Sequence, residues 1–354
     1  MYKINNILLF FALSFLLASC VKPEEKEDVN YDFTIWVLNE GLWNMNNSSI
    51  TAYNSTTQKL CADVFKQENS RCLGDIANDI IIYGSKAYIA VNMSGVIEVV
   101  DVFSGKSIRQ ISLLNDKGEN RQPRCLTYYK NKVYGCCFDG SVVRIDTSSL
   151  KIDGIVQAGQ NPDGMCVTNN KLYVSNSGGL NFPDYGNTVS VFNLTSFTEI
   201  KRIRVSTNPT ILKADKQGDV YVMCRGNYSD IPSCLQRIDS KNDTLVQTIT
   251  YNVSNFDIYD DLLYFYYYDD ASKSVNFQVL NNKTETIINT SFLKDKVSIQ
   301  TPYGINVNPN DGSVFISDAL DYQTTGDVYC FDKNGKLSYQ FEGGLCPKKT
   351  VFLK

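Results

Sequence analysis

A four-strand unit that recurs seven times, with its first copy split between the two ends of the chain, constrains this sequence more than any other feature. Each unit reads as a run opening on Pro, a turn, an apolar run centred on an aromatic, a loop, and a third run ending in Asp or Asn. The aromatic recurs at Trp36, Tyr88, Tyr134, Tyr173, Tyr221, Tyr264 and Phe315. The mean spacing is about 46 residues, in the range where repeats form propeller blades, solenoids or arrays. The third runs end at Asn54, Asp101, Asp146, Asn193, Asp239, Asn281 and Asp332. Seven second strands and seven third strands imply an all-β chain folded as a seven-bladed β-propeller.

First strands open at Pro123, Pro162, Pro209 and Pro302, with GDIA from Gly74 and NFDI from Asn255 as variants. Nothing comparable precedes Trp36. The chain instead ends in PKKTVFLK from Pro347, a first strand with no second strand after it. A C-terminal strand closing blade one leaves the ring no open edge. The runs themselves (WVL, AYIAV, VVRI, VYVM, VFIS) are β-branched or aromatic and bounded by turn clusters. Several are apolar at successive positions, as expected of strands covered on both faces. Beyond the N-terminus no apolar period of 3.6 is held for three turns.

Residues 1–19 read as a lipoprotein signal peptide. Lys3 is the positive flank, Ile7 to Leu17 the apolar stretch, and Leu17-Ala18-Ser19-Cys20 a bacterial lipobox. Cys20 is then the lipidated first residue of the mature chain, and residues 20–31 a lipidated acidic tether. Several acyl chains would hold it to a membrane where one is marginal. The segment VKPEEKED carries four acids and resembles the export signal of surface lipoproteins in Bacteroidetes. Residues 32–354 form the propeller. The formal net charge is −4 and basic residues are scattered, which argues against a nucleic-acid partner.

The chain contains no histidine. Ser-His and Cys-His nucleophiles, histidine bases and the usual zinc and iron sites are thereby excluded. Propeller lactonases and lyases that need a histidine go with them, and the S-x-D-x-G-x-T-W boxes of sialidases do not occur. No catalytic residue, metal ligand or cofactor is assigned, and the chain reads as a binding protein. The ten cysteines after Cys20 show no CxxC or zinc spacing. Most fall on expected strands as small apolar side chains. Cys224 and Cys234 flank one loop and could clip it in an exported protein.

In a propeller, the loops from second to third strands and from one blade to the next share one face around the channel. Blades two and three have tight second-to-third connections, near Asn92 to Gly95 and Phe138 to Ser141. The other five carry long loops, from Asn39, Asn176, Arg225, Tyr267 and Ser317. Aromatics in them offer rigid contact area with polar tips, and Asn and Asp offer directional hydrogen bonds, which suits a bulky polar ligand. The expected ligand contacts are Trp43, Tyr185, Arg225, Tyr228, Tyr268 and Tyr322, with Asn92 and Arg124 at the shorter side.

VLNEG from Val37, LGDIANDIIIYGSKAYIAVN from Leu73, NPDGMCVTNNKLYVSNSGG from Asn161, QGDVYVMCRGNY from Gln217 and TPYGINVNPNDGSVFISDA from Thr301 carry a resemblance. They resemble the YVTN-type seven-bladed propeller lipoproteins of gut Bacteroidetes, which include BtuG-like cobalamin-capturing surface proteins. The likeness spans roughly residues 33–354. It implies an outer-membrane lipoprotein facing the cell exterior that captures cobalamin or another corrinoid for a TonB-dependent transporter. It transfers no ligand contact position by position. Without histidine, recognition would rest on hydrogen bonds and packing, with no imidazole on cobalt. Two other classes stay open: a surface adhesin or assembly subunit binding protein or glycan, and a hydrolase using paired carboxylates.

Overall fold

The seven aromatics that mark the repeat are all buried, none more than 1% exposed. Each sits on the second strand of a four-stranded antiparallel sheet, flanked by strands on both edges and by neighbouring blades on both faces. The computed structural model describes residues 32–269 and 271–353, and within them seven such sheets. Six run through the sequence in order. The seventh takes the strand Pro347–Phe352 as its innermost member, antiparallel to Ile35–Asn39, with Ile35 opposite Phe352 and Asn39 opposite Pro347. The expected closure of blade one by the C-terminus is what the chain adopts.

The apolar core is divided into seven wedges, one between each pair of blades. Trp36 and Leu38 of blade one pack against Ala77, Ile80 and Ile89 of blade two. Ile35 and Val37, on the opposite face of the same strand, pack against Phe315, Val328 and Phe341 of blade seven. Alternate side chains of one strand thus enter different wedges, so the second strands are apolar at every position. Fully burying one such side chain contributes about 1.5–3 kcal/mol. Tyrosine hydroxyls add cross-blade links: Tyr173 of blade four donates to the carbonyl of Ser240 in blade five at 3.3 Å, and Tyr221 of blade five to that of Asn282 in blade six at 2.8 Å.

The Asp or Asn ending each third strand closes the turn into the fourth. Its side-chain oxygen accepts backbone N–H groups two to four residues on, at Asn54, Asp101, Asp146, Asn193, Asp239, Asn281 and Asp332. These are Asx turns, so the periodic acid is a turn device. Blade one departs from the pattern. Its fourth strand is only Leu60–Cys61, and a short helix, Val64–Asn69, follows, with Asp63 accepting from the Lys66 N–H.

Two readings of the sequence need adjusting. The inner strand of blade two begins at Ala77, not at Gly74, because the preceding segment bridges to Ser48 on the loop of blade one. In blade six the stretch from Tyr267 is no free loop: Leu262–Asp269 and Ser274–Asn281 continue as a paired hairpin beyond the rim.

Candidate functional site

Register shifts at the rim end of the inner strands build the floor of the site. In the strand Pro123–Tyr129, Pro123 faces Cys137 while Cys125 faces Cys136, which leaves Arg124 unpaired. The same irregularity isolates Asn78 between Ala77 and Asp79, Tyr303 between Pro302 and Gly304, and Lys348 between Pro347 and Lys349. In Pro162–Thr168 it spans Asp163 and Gly164. A bulge turns one residue out of the ladder and re-aims its side chain. Proline suits the preceding position because it needs no ladder N–H there. Glycine follows where inner strands crowd the axis: a Cβ on Gly164 would lie 2.0 Å from the Thr210 carbonyl oxygen, and one on Gly304 2.1 Å from that of Lys348.

These bulge residues join in one chain of ion pairs and hydrogen bonds. Arg124 contacts one carboxylate oxygen of Asp163 through Nε at 2.9 Å and a terminal nitrogen at 2.8 Å, and also donates to the Asn78 carbonyl oxygen. Its guanidinium lies 4.4 Å over the Phe138 ring, a cation–π contact. Lys348 bridges the same Asn78 oxygen at 3.2 Å and Glu40 at 2.8 Å. Tyr303 donates its hydroxyl to the other oxygen of Glu40. Further down the channel Lys349 pairs with Asp79 at 2.5 Å and Lys213 with Asp257 at 2.9 Å. The floor is polar, ordered and internally neutralised.

Burial alone would push both floor carboxylates, Glu40 and Asp163, up. Lys348, Tyr303 and Arg124 outweigh it at Glu40, and Arg124, Arg225 and Lys348 do so at Asp163, so both stay below their ordinary range. The Arg124 guanidinium, lowered by burial, is raised on balance by Asp163 and Glu40. At neutral pH these groups are charged and paired.

Above the floor stand exposed apolar side chains. Trp43 and Met45 rise from blade one, Leu180 and Phe182 from blade four, and Tyr228 and Ile231 from blade five; Tyr268 and Tyr322 complete the rim on blades six and seven. Phe182 is 74% exposed, Trp43 and Tyr228 each 67%. Phe182, Tyr185 and Tyr228 form an edge-to-face row across blades four and five, with centroids 6.1 and 6.0 Å apart. Tyr322 meets Tyr303 edge-on at 5.8 Å, which ties the rim to the floor. Tyr228 and Tyr322 both hold left-handed backbone, φ 58° and 62°. The same backbone recurs in turns around the ring, at Gln58, Leu150, Phe197, Asp243 and Glu285 among others, so it reflects turn geometry and does not mark the site.

Of the residues expected from sequence, Arg124 lies on the floor, Tyr185 and Tyr228 in the aromatic row, and Tyr322 against Tyr303. Trp43 and Tyr268 are exposed on their own blades. Arg225 is exposed, and its charge acts on Asp163. Asn92 is buried and donates to the Pro123 carbonyl at 3.1 Å, holding blade two to blade three. Cys20 lies outside the described residues. Sequence reasoning missed Asn78, Asp163, Tyr303, Lys348 and Glu40. The first four share the position of Arg124, directly after the residue that opens the inner strand.

On the low side, a recess of about 470 Å³ opens between blades three and four, lined by Phe138, Gln157, Gln160, Asn161, Asn181 and Arg202. A larger one, about 580 Å³, lies on the opposite face at the seam of blades seven and one, among the turns of Asn308, Asp311 and Asp332. It has no part in the loop face. Among the described residues no group of three or more Cys, Asp or Glu is arranged to hold a metal ion.

A family described as a domain of unknown function, DUF5074, matches residues 34–353. No curated protein is similar enough to count as a match. Among solved structures the chain is similar to a quinonprotein alcohol dehydrogenase-like protein from Bacteroides thetaiotaomicron, with TM-score 0.65, 15% identity, and 91% of this chain and 78% of that one covered. It is similar to hydrazine synthase of Kuenenia stuttgartiensis, with TM-score 0.59 and 15% identity over 71% and 74% of the two chains. The computationally designed Ika8 protein matches with TM-score 0.55 and 15% identity over 90% of each. At such identity the likeness is one of fold.

Proposed function

Because the chain belongs to the DUF5074 family across residues 34–353, its role has to be argued from its own site, and we propose that it is a lipid-anchored surface protein that captures a bulky, amide-rimmed ligand of the corrinoid class. The observation that carries this reading is the pairing of a wide, exposed aromatic rim with a polar floor whose charges already neutralise one another. A small anion or cation would have to break buried ion pairs to bind there, at a cost of several kcal/mol. A broad ligand with an apolar face and a hydrogen-bonding edge can rest on Trp43, Tyr228 and their neighbours and leave the floor intact. The amides and arginine of the recess between blades three and four extend that polar surface.

The floor itself suits binding more than turnover: a carboxylate pair acting on a glycosidic or similar bond needs one member raised to serve as general acid, whereas Glu40 and Asp163 are both held low by cations. A raised acid occurs instead at Asp327, opposite Asp318 on blade seven. The anchor also fits the topology. Ile35 lies at the strand end opposite Asn39 and the rim, so the chain enters the ring on the far face. Residues 20–31 can reach at most about 40 Å. A lipid on Cys20 would therefore leave the aromatic rim facing away from the membrane, open to ligand and to a TonB-dependent transporter.

The test is gel filtration of the purified protein with cyanocobalamin. Red colour co-eluting with protein in a stoichiometric ratio is the expected result. Separate elution at micromolar concentrations would remove the corrinoid reading.

A further inference from the structure

Blade five carries two thiols where two other blades carry a polar clasp. At the rim end of blade one, Asn39 stands opposite Ser49 and donates to its hydroxyl at 3.0 Å. In blade four Asn176 stands opposite Thr188 and does the same, also at 3.0 Å. The corresponding pair in blade five is Cys224, last residue of one strand, opposite Cys234, first residue of the next. Both are buried in the wedge between blades four and five. The polar contacts of this position have moved to Gln236, which accepts from the Ser206 N–H at 2.7 Å and donates to the Thr248 hydroxyl at 2.9 Å. Directly opposed side chains in an antiparallel pair have Cβ atoms about 4.5–5.5 Å apart, a short step from the separation a disulfide needs.

We propose that Cys224 and Cys234 are oxidised to a disulfide that closes the Arg225–Ser233 loop at its base. The oxidant is an external disulfide, either a thiol–disulfide oxidoreductase or oxidised glutathione. The Cys234 thiolate attacks one sulfur of that donor, forming a mixed disulfide and releasing the other sulfur as a thiolate. Cys224 then gives up its proton and displaces the remaining donor sulfur. Two electrons pass to the donor, which leaves as thiols carrying the two protons. The Cys224 thiol donates to the Gln236 side-chain oxygen at 3.7 Å, while its contact with Cys234 lowers the Cys234 thiol to about 7, which makes Cys234 the attacking partner.

A second opposed pair lacks the lowered thiol. Cys125 faces Cys136 in blade three, and burial pushes Cys125 up to about 12 and Cys136 well above its ordinary value, whereas in blade five one partner, Cys234, is lowered. The blade-five pair also has a reason to be fixed, because its loop carries Arg225, Tyr228 and Ile231. Asn227 stitches that loop internally by accepting from the Ser229 and Ile231 N–H groups. A covalent base would reduce the freedom the loop loses on binding. The disulfide itself does not depend on which ligand is bound.

The experiment uses the full chain equilibrated in glutathione buffers of increasing oxidation, quenched by alkylation and digested with trypsin without reduction. Cleavage after Arg225 places the two cysteines on separate peptides, residues 217–225 and 226–237. The expected product is these two peptides joined, two hydrogens lighter than their sum and separated by reductant. Both peptides fully alkylated at the oxidising end of the series, or Cys234 joined to any other cysteine, would overturn the proposal. Native-state cleavage after Arg225 reports on the loop: it should be severalfold slower in the oxidised protein, and equal rates would show that the bond does not constrain it.

Discussion

Removal of Pro347–Lys354 should abolish the folded ring. The strand Pro347–Phe352 gives blade one its inner edge, with five register pairs to Ile35–Asn39. It also supplies Lys348 to Glu40 and Lys349 to Asp79, whose carboxylates are only 9% and 8% exposed. Breaking a buried pair by deleting one partner costs about 3–5 kcal/mol. The lysines are about a quarter exposed, and Glu40 keeps the Tyr303 hydroxyl and Asp79 the Leu126 N–H as donors, so the low end is an upper bound and the two lost pairs cost at most about 6 kcal/mol. That is comparable to the entire stability of a typical domain, about 5–15 kcal/mol, before the lost ladder is counted. Circular dichroism melting and gel filtration of the truncated chain should show no cooperative transition and an aggregated or expanded species. Full-length Lys348→Met and Lys349→Met should each stay folded with a lower melting temperature, separating the ionic cost from loss of the strand. A truncated protein that melted like its parent would refute the closure.

Other outcomes follow from the same structure. Trp36→Ala removes a side chain that is 1% exposed and should cost about 3–5 kcal/mol in denaturant titration, whereas Trp43→Ala should shift stability by less than about 0.5 kcal/mol. Glu40 and Asp163 are held below their ordinary values of 4.5 and 3.8, so their pairing stabilises the fold above those values and is lost as pH falls through the lower folded ones. Melting temperature should therefore drop on acidification below about pH 4.5, less steeply in Lys348→Met; identical acid limbs would contradict the floor network. Cys20→Ser should abolish lipidation, and alanine at Glu24, Glu25, Glu27 and Asp28 should keep the protein from protease added to intact cells. Equal surface exposure of that alanine variant would refute the export signal.

The architecture was legible because its determinants are local and repeated. A large aromatic is needed wherever a second strand is wedged between blades, and an Asx side chain wherever a third strand turns back, so both recur at fixed spacing. The lone Pro347 strand marked the closure for the same reason. The floor of the site was not legible, because its contacts join distant parts of the chain. Tyr303 reaches Glu40 across 263 positions and Lys348 reaches Asn78 across 270. What the sequence did contain, unread, was the bulge position itself: the residue after Pro123, Pro162, Pro302 and Pro347. Asn92 looked available because its loop is tight and on the rim face, yet the next blade's backbone claims its amide. The rim aromatics were readable from loop length, while their grouping into the Phe182, Tyr185 and Tyr228 row depends on how blades four and five meet.

Calorimetric titration of cyanocobalamin into the parent protein, Trp43→Ala and Tyr228→Ala tests the proposed capture function most directly. The parent should bind saturably at one ligand per chain. A well-buried aromatic anchor contributes about 2 kcal/mol or more, roughly 30-fold in affinity, so at least one variant should weaken by that factor while melting like the parent. Absence of heat and of binding to the intact parent would contradict the corrinoid function and leave the propeller standing.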